Sequence, residues 1–256
     1  MRTVALLTRA RLALGRWSSR RFARRPFRLQ PGRPIVSFTF DDFPRSAWTA
    51  GGPVLARHGV AATYYTSFGL AGRDGVSGPH FTHHDLRALL AAGHEIGCHT
   101  HAHCPAWETA PEDFEASVAR NEEHLGSCIP RARFRTLSYP ISPPRAGTKR
   151  RMGRRFVCCR GGGQTHNSGV VDLNCLRGYF LEQTAGDARS LAAAIAASAA
   201  AGGWLILATH DVSPRPSRFG ITPAFLDHAV NLATASGAEI LPVAAAWDRL
   251  AARSAA

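Results

Sequence analysis

The sequence predicts an α/β domain with a parallel sheet, and three observations carry that prediction. From residue 35 onward, short β-favouring runs alternate with helical patterns. A polar cluster follows the C-terminal end of several of those runs. The first run is followed by no Gly-x-Gly-x-x-Gly or phosphate-binding loop, so nucleotide binding has no support. By pattern alone a closed barrel fits as well as an open sheet. The polar clusters favour the barrel, where catalytic groups collect on one face from several strands.

The elements follow in order. Ile35 to Phe40 reads IVSFTF, a strand that ends at Asp41 and Asp42. A helix is expected over Ala47 to Arg57 and a strand over Val60 to Thr66. Thr82 and Asp85 look like the cap and first-turn acid of a helix with Leu86, Leu89 and Leu90 on one face, stopped at Gly93. His94 to Gly97 is a short strand. Pro111 opens a helix with Phe114, Val118 and Leu125 on one side. Phe134 to Tyr139 is a strand stopped by Pro140, and Phe156–Cys159 and Cys175–Phe180 are weaker strands around a flexible loop at Gly161–Gly169. An Ala-rich helix over Ala188–Ala201, a buried strand WLILA at Trp204–Ala208, a helix near Pro223–Ala235, a strand near Ile240 and a helix from Ala244 complete the chain.

The chain has 256 residues, 45% of them hydrophobic, and no apolar run of eighteen. Its formal charge is +13, but residues 1–34 hold ten arginines and no acid, which leaves +3 for the rest. The division expected is therefore a basic, flexible segment at 1–34 and one barrel domain at 35–256. Deleting residues 1–33 should leave folding intact, because they lack core periodicity. The segment's electrostatics allow weak contact with an anionic membrane or polymer, and no specific nucleic-acid partner is expected. An Arg-rich, acid-free start also fits an organelle transit peptide. Cytoplasm is the default location, with peripheral membrane association as the variant. Lys149 is the sole lysine. The six cysteines show no C-x-x-C spacing and read as small buried hydrophobes, although Cys98 and Cys104 flank a histidine cluster.

Four clusters sit at strand ends: Asp41-Asp42, His99-Thr100-His101-Ala102-His103, Tyr139-Pro140 and Thr209-His210-Asp211. His99 and His103 are four apart, so a helical turn would put both imidazoles on one side. Two imidazoles and a carboxylate leave an open position for water, the composition of a catalytic zinc site. Adjacent buried aspartates repel unless a cation or a shared proton resolves the conflict. His101 lies between the pair at the wrong phase.

FTFDD at 38–42, HTHAH at 99–103, SYP at 138–140 and LATHD at 207–211 resemble the motifs of the polysaccharide deacetylase family, carbohydrate esterase family 4. The resemblance spans about residues 35–245. It implies a distorted (β/α) barrel of seven or eight parallel strands that removes acetyl groups from N-acetylated sugars. It also implies a divalent metal: zinc first, with cobalt or nickel accepted by the same ligands. Asp41 is then the general base, Asp42, His99 and His103 are the metal ligands, and His210 is the general acid. Tyr139, Pro140 and Ile141 form the third motif, with the N–H of Ile141 on the oxyanion.

Several positions depart from the family's pattern. Ser138 stands where an arginine often orients the catalytic aspartate, and Arg177 is the candidate replacement, against its plainer reading as a surface arginine. Ser142 replaces a glycine. Phe43 follows the aspartate pair and is expected to narrow the mouth of the cleft. No Asp-Trp motif is found, so nothing is identified that tunes His210, and Asp211 reads as a loop-shaping residue. Two alternatives remain: a hydrolase of another amide or cyclic imide on the same fold, and a non-catalytic carbohydrate- or anion-binding protein.

Overall fold

Strand β1 (Ile35–Phe40) is buried along its whole length, as a strand covered on both faces must be. In the computed structural model, which describes residues 13–184 and 187–255, β1 pairs in parallel on one side with β7 (Trp204–Thr209). On its other side it pairs with β2 (Thr63–Thr66). From β2 the order runs through β3 (Glu95–Cys98), β4 (Thr136–Ser138), β5 (Cys158–Gly161) and β6 (Leu176–Phe180) back to β7. Seven parallel strands thus close a barrel. An eighth, β8 (Glu239–Ile240), pairs with the start of β1 beside it.

The side chains alternate between two environments, as the period of two requires. Val36, Phe38, Phe40, Tyr64, Leu205 and Leu207 belong to the main apolar cluster, with helix residues such as Leu55, Leu86, Phe114 and Leu226. The alternate positions fill the barrel. Ile35, Cys158, Leu176, Trp204 and Ile206 form a second cluster at its base. Above them the filling is polar: Ser37 accepts from Trp204 Nε1 at 2.9 Å, and Arg160 is almost fully buried.

The helices follow from ordinary signals. α1 (Arg45–Thr49) and α2 (Gly51–Arg57) divide the expected single helix at Ala50. α3 (His83–Ala91) starts with the capping box expected of Thr82 and Asp85. α4 (Pro111–Cys128) buries Phe114, Val118 and Leu125. α5 (Ala146–Arg155) has no counterpart in the sequence reading, because only Thr148, Lys149 and Met152 of its ten residues are buried and no apolar stripe marks it. α6 (Ala188–Ala200), α7 (Pro223–Ala235) and α8 (Val243–Ala255) complete the ring.

Residues 13–34 differ from the flexible segment expected. Residues 13–21 are helical, and Pro26–Arg28 pairs antiparallel with Val170–Asp172. Leu29 joins the basal apolar cluster. Lys149, fully buried, donates to the carbonyls of Ser19 (2.5 Å) and Phe22 (2.9 Å) and to Asp172 Oδ2 (2.6 Å). Arg25 donates to the carbonyls of Gly153, Phe156 and Val157. The segment is held by charge-assisted bonds to backbone carbonyls, which leave no periodic trace in a sequence. Residues 1–12 lie outside the described part.

Among the described residues no helix is long and apolar enough to cross a membrane.

Candidate metal centre and catalytic cleft

The C-terminal end of β1 delivers Asp41 and Asp42, and the backbone is strained from Asp42 onward. Asp42 has φ 61° and Phe43 φ 49°, and the left-handed region recurs at Thr100 (59°), His103 (49°) and Ile141 (61°). Such conformations cost about 1–3 kcal/mol each and persist where surrounding structure enforces them. Here they gather around one point.

Asp42 Oδ1 lies 3.0 Å from His103 Nε2 and 3.3 Å from His99 Nε2. It is buried, yet among the described residues it has no hydrogen bond of good geometry. One donor atom from each of Asp42, His99 and His103 falls within 4.8 Å of the others. His99 Nδ1 lies 2.8 Å from the carbonyl oxygen of Ser138, so Nδ1 carries the proton and Nε2 keeps its lone pair for the shared space. Three ligand atoms that converge without bonding one another fit a cation.

The two histidines converge by a tight turn rather than the expected helical one. Thr100 and His103 take left-handed backbone, Cys104 N–H donates to Thr100 Oγ1 at 2.9 Å, and Ser117 accepts from the N–H of His101 and Ala102. His101 leaves the site and packs at a tilt against His124, ring centroids 4.9 Å apart. Cys98 takes no part: burial pushes its thiol up to about 12, and its sulfur accepts from Asn121. Among the described residues Cys104 joins no metal cluster.

Asp41 is buried against an arginine that the sequence reading missed. Arg160 Nη2 donates to Asp41 Oδ1 and, at 2.6 Å, to Ser138 Oγ. Burial opposes ionisation of Asp41, but the Arg160 guanidinium outweighs it and holds the carboxyl below its ordinary range. Ser138 and Arg160 are direct partners across β4 and β5. The guanidinium therefore arrives from the neighbouring strand at the level where an arginine at 138 would stand. Arg177, the expected replacement, is exposed; its aliphatic carbons pass Gly163, and it does not reach Asp41. The signal available in the sequence was a lone arginine beside the run of glycines after β5.

His210 Nδ1 lies 3.2 Å from the carbonyl oxygen of Phe219, which leaves Nε2 unprotonated in the neutral ring. That carbonyl is the partner the sequence reading lacked. Asp211 accepts from the backbone N–H and hydroxyl of Ser217 (2.8 and 2.5 Å) and so ties the following loop. Phe43 does not narrow the mouth: it is fully buried, stacked on Phe81 with centroids 5.0 Å apart. Tyr139 is buried, donating to the carbonyl of Asn174. The carbonyl of Pro140 accepts from Ala106 and Ser142, which shapes the turn. Ile141 is 71% exposed, and its N–H has no acceptor among the described residues.

Asp41, Asp42, His99, His103, Ile141 and His210 line one cleft of about 1080 Å³. Glu182 lines it too, a residue no motif announced. Burial and the nearby Asp41 charge raise its carboxyl to about 8.

The sequence model of the polysaccharide deacetylase family matches residues 28–153, which takes in FTFDD, HTHAH and SYP, while LATHD lies beyond the match. No curated protein matches the sequence. Among solved structures, the chain is similar to the chitin deacetylase from the fungal pathogen Colletotrichum lindemuthianum. The two share 18% identity and a TM-score of 0.59 over 84% of this chain and 88% of that one. It is also similar to a family 4 acetyl xylan esterase from Clostridium thermocellum in complex with a cobalt ion (22% identity, TM-score 0.53, 82% and 88% covered). A third is a peptidoglycan deacetylase from Bacillus subtilis (13% identity, TM-score 0.58, 88% and 95% covered). At these identities the likeness is one of fold.

Proposed function

We propose that the protein, whose residues 28–153 match the sequence model of the polysaccharide deacetylase family, is a metal-dependent hydrolase that removes N-linked acetyl groups from an acetamido sugar. The observation that carries the reading is the convergence of Asp42, His99 and His103 beside an ionised Asp41.

Asp42, His99 and His103 would hold the ion, zinc or another divalent metal, and an ion bound there would polarise the acetyl carbonyl and acidify a water. Asp41 takes the proton of the attacking water. Arg160 fixes the orientation of that carboxylate and keeps it ionised inside the barrel. The unbonded N–H of Ile141 suits a developing oxyanion, a role that Tyr139 and Pro140 support by fixing the turn. His210, its Nδ1–H oriented by the Phe219 carbonyl, acts in its imidazolium form, in which Nε2 carries the second proton and gives it to the departing amine.

Acetate release across chitooligosaccharides, peptidoglycan fragments and N-acetylglucosamine conjugates tests the reading. Release that disappears on chelation and returns with a divalent ion supports it. No release from any of the three, with ion present, overturns it.

A further inference from the structure

Three of the arginines in the N-terminal segment line the cleft. Arg16, Arg20 and Arg24 join Arg177 from β6 and Arg218 from the loop after β7 along its walls. Among the described residues, none of the five side chains forms an ion pair or a hydrogen bond with the protein; Arg218 rests on the Phe219 ring, 4.5 Å from its centroid. Elsewhere on the barrel, Arg45, Arg57, Arg135, Arg151, Arg155 and Arg253 each hold a carboxylate. Arg73, Arg120 and Arg150, unpaired among the described residues, stand outside any such cleft, so what distinguishes the five is that they share one.

The acids of the cleft do not neutralise this wall. Asp41 is held by Arg160, Asp172 by Lys149, and Asp42 faces the two imidazoles. Glu182 is the remaining carboxyl. Arg16, Arg20 and Arg24 do not hang on a loose tail, because the Lys149 and Arg25 bonds and the Pro26–Arg28 pairing seat the chain that carries them. Guanidinium groups match the planar or tetrahedral oxygens of carboxylates and phosphates, and unpaired cations converging on one cleft concentrate positive potential there. The volume exceeds what a single sugar ring fills and sits at the upper end of ligand clefts.

From this wall we infer that the substrate is an acetamido sugar bearing an oxyanion, with the acetamide at the Asp42 end and the anion on the arginines. The inference rests on the hydrolase reading above and adds the substrate's charge.

The test compares kcat/KM for acetate release from N-acetylglucosamine 1-phosphate, N-acetylmuramic acid and the neutral methyl N-acetylglucosaminide. A catalysis-free arm measures pyrophosphate binding by calorimetry. We expect at least a tenfold preference for one charged sugar, with the phosphate and carboxylate arms telling which, and a preference that shrinks as ionic strength rises. In Arg16→Gln/Arg20→Gln/Arg24→Gln, and separately in Arg218→Gln, the preference and the pyrophosphate heat should both fall, with melting temperature reporting that the fold is kept. Equal kcat/KM for charged and neutral sugars overturns the inference and leaves the hydrolase reading standing. If no sugar releases acetate, the hydrolase reading fails; pyrophosphate binding lost in the arginine variants then still supports the anion wall, and its absence in the unaltered protein overturns it.

Discussion

Arg160 binds Asp41 from inside the barrel, with Ser138 Oγ at 2.6 Å and the rings of Tyr65 and Phe180 centred 5.3 and 5.5 Å from its Cζ. An unpaired charge at this depth is costly, so each partner depends on the other. Arg160→Ser should lower kcat by about a hundredfold, in the range found for losing a preorganised electrostatic group, without removing the metal. Because Ser138 and Arg160 face each other across β4 and β5, adding Ser138→Arg to that variant should recover part of the rate. Steady-state kinetics on the single and double variants checks this; no recovery would mean that the strand of origin matters, not only the charge.

Asp41→Asn should keep the metal and lose about 10²–10⁴ in kcat, the usual worth of a positioned base. Acetate release at the unaltered rate would place the base elsewhere in the cleft.

How much of this was legible beforehand depends on the kind of signal. Asp41, Asp42, His99 and His103 ended recognisable strands, and their convergence needed only the rule that such ends share a face of the barrel. The turn joining the two histidines was misread as helical because spacing alone does not reveal left-handed backbone at Thr100 and His103. Arg160 was hidden for a different reason: its role depends on the register between β4 and β5, which a single sequence does not display. The sequence puts Phe43 at the mouth only through its position after the aspartate pair, whereas its own backbone conformation turns it into the core against Phe81.

The N-terminal segment gives a stability prediction opposite to the one its composition suggested. Lys149→Met leaves Asp172 and the carbonyls of Ser19 and Phe22 without their buried cation. That should cost about 3 kcal/mol and about 10 °C in melting temperature. Deleting residues 1–34 should cost at least as much, since Leu29 and the Pro26–Arg28 pairing go as well. An unchanged melting curve in either variant would show the segment to be dispensable for folding.

His94 makes stability pH-dependent. Burial lowers its pKa from 6.5 to about 4, and its Nδ1 accepts from the Ala62 N–H at 3.0 Å, which requires the neutral ring. Between those two values the unfolded chain binds a proton that the folded chain does not. Its contribution is therefore full above about pH 6.5 and is lost as pH falls towards 4, by at most about 3 kcal/mol. Urea melts across that range should show the slope, and His94→Asn should flatten it relative to the unaltered protein. A slope identical in both would remove His94 as its source.

The metal content of the purified protein bears most directly on the site formed by Asp42, His99 and His103. Elemental analysis after equilibration with a divalent ion should find close to one equivalent per chain, and His103→Ala, treated alike, should retain almost none. The absence of bound metal in the unaltered protein, or an equal amount in both, would contradict the assignment.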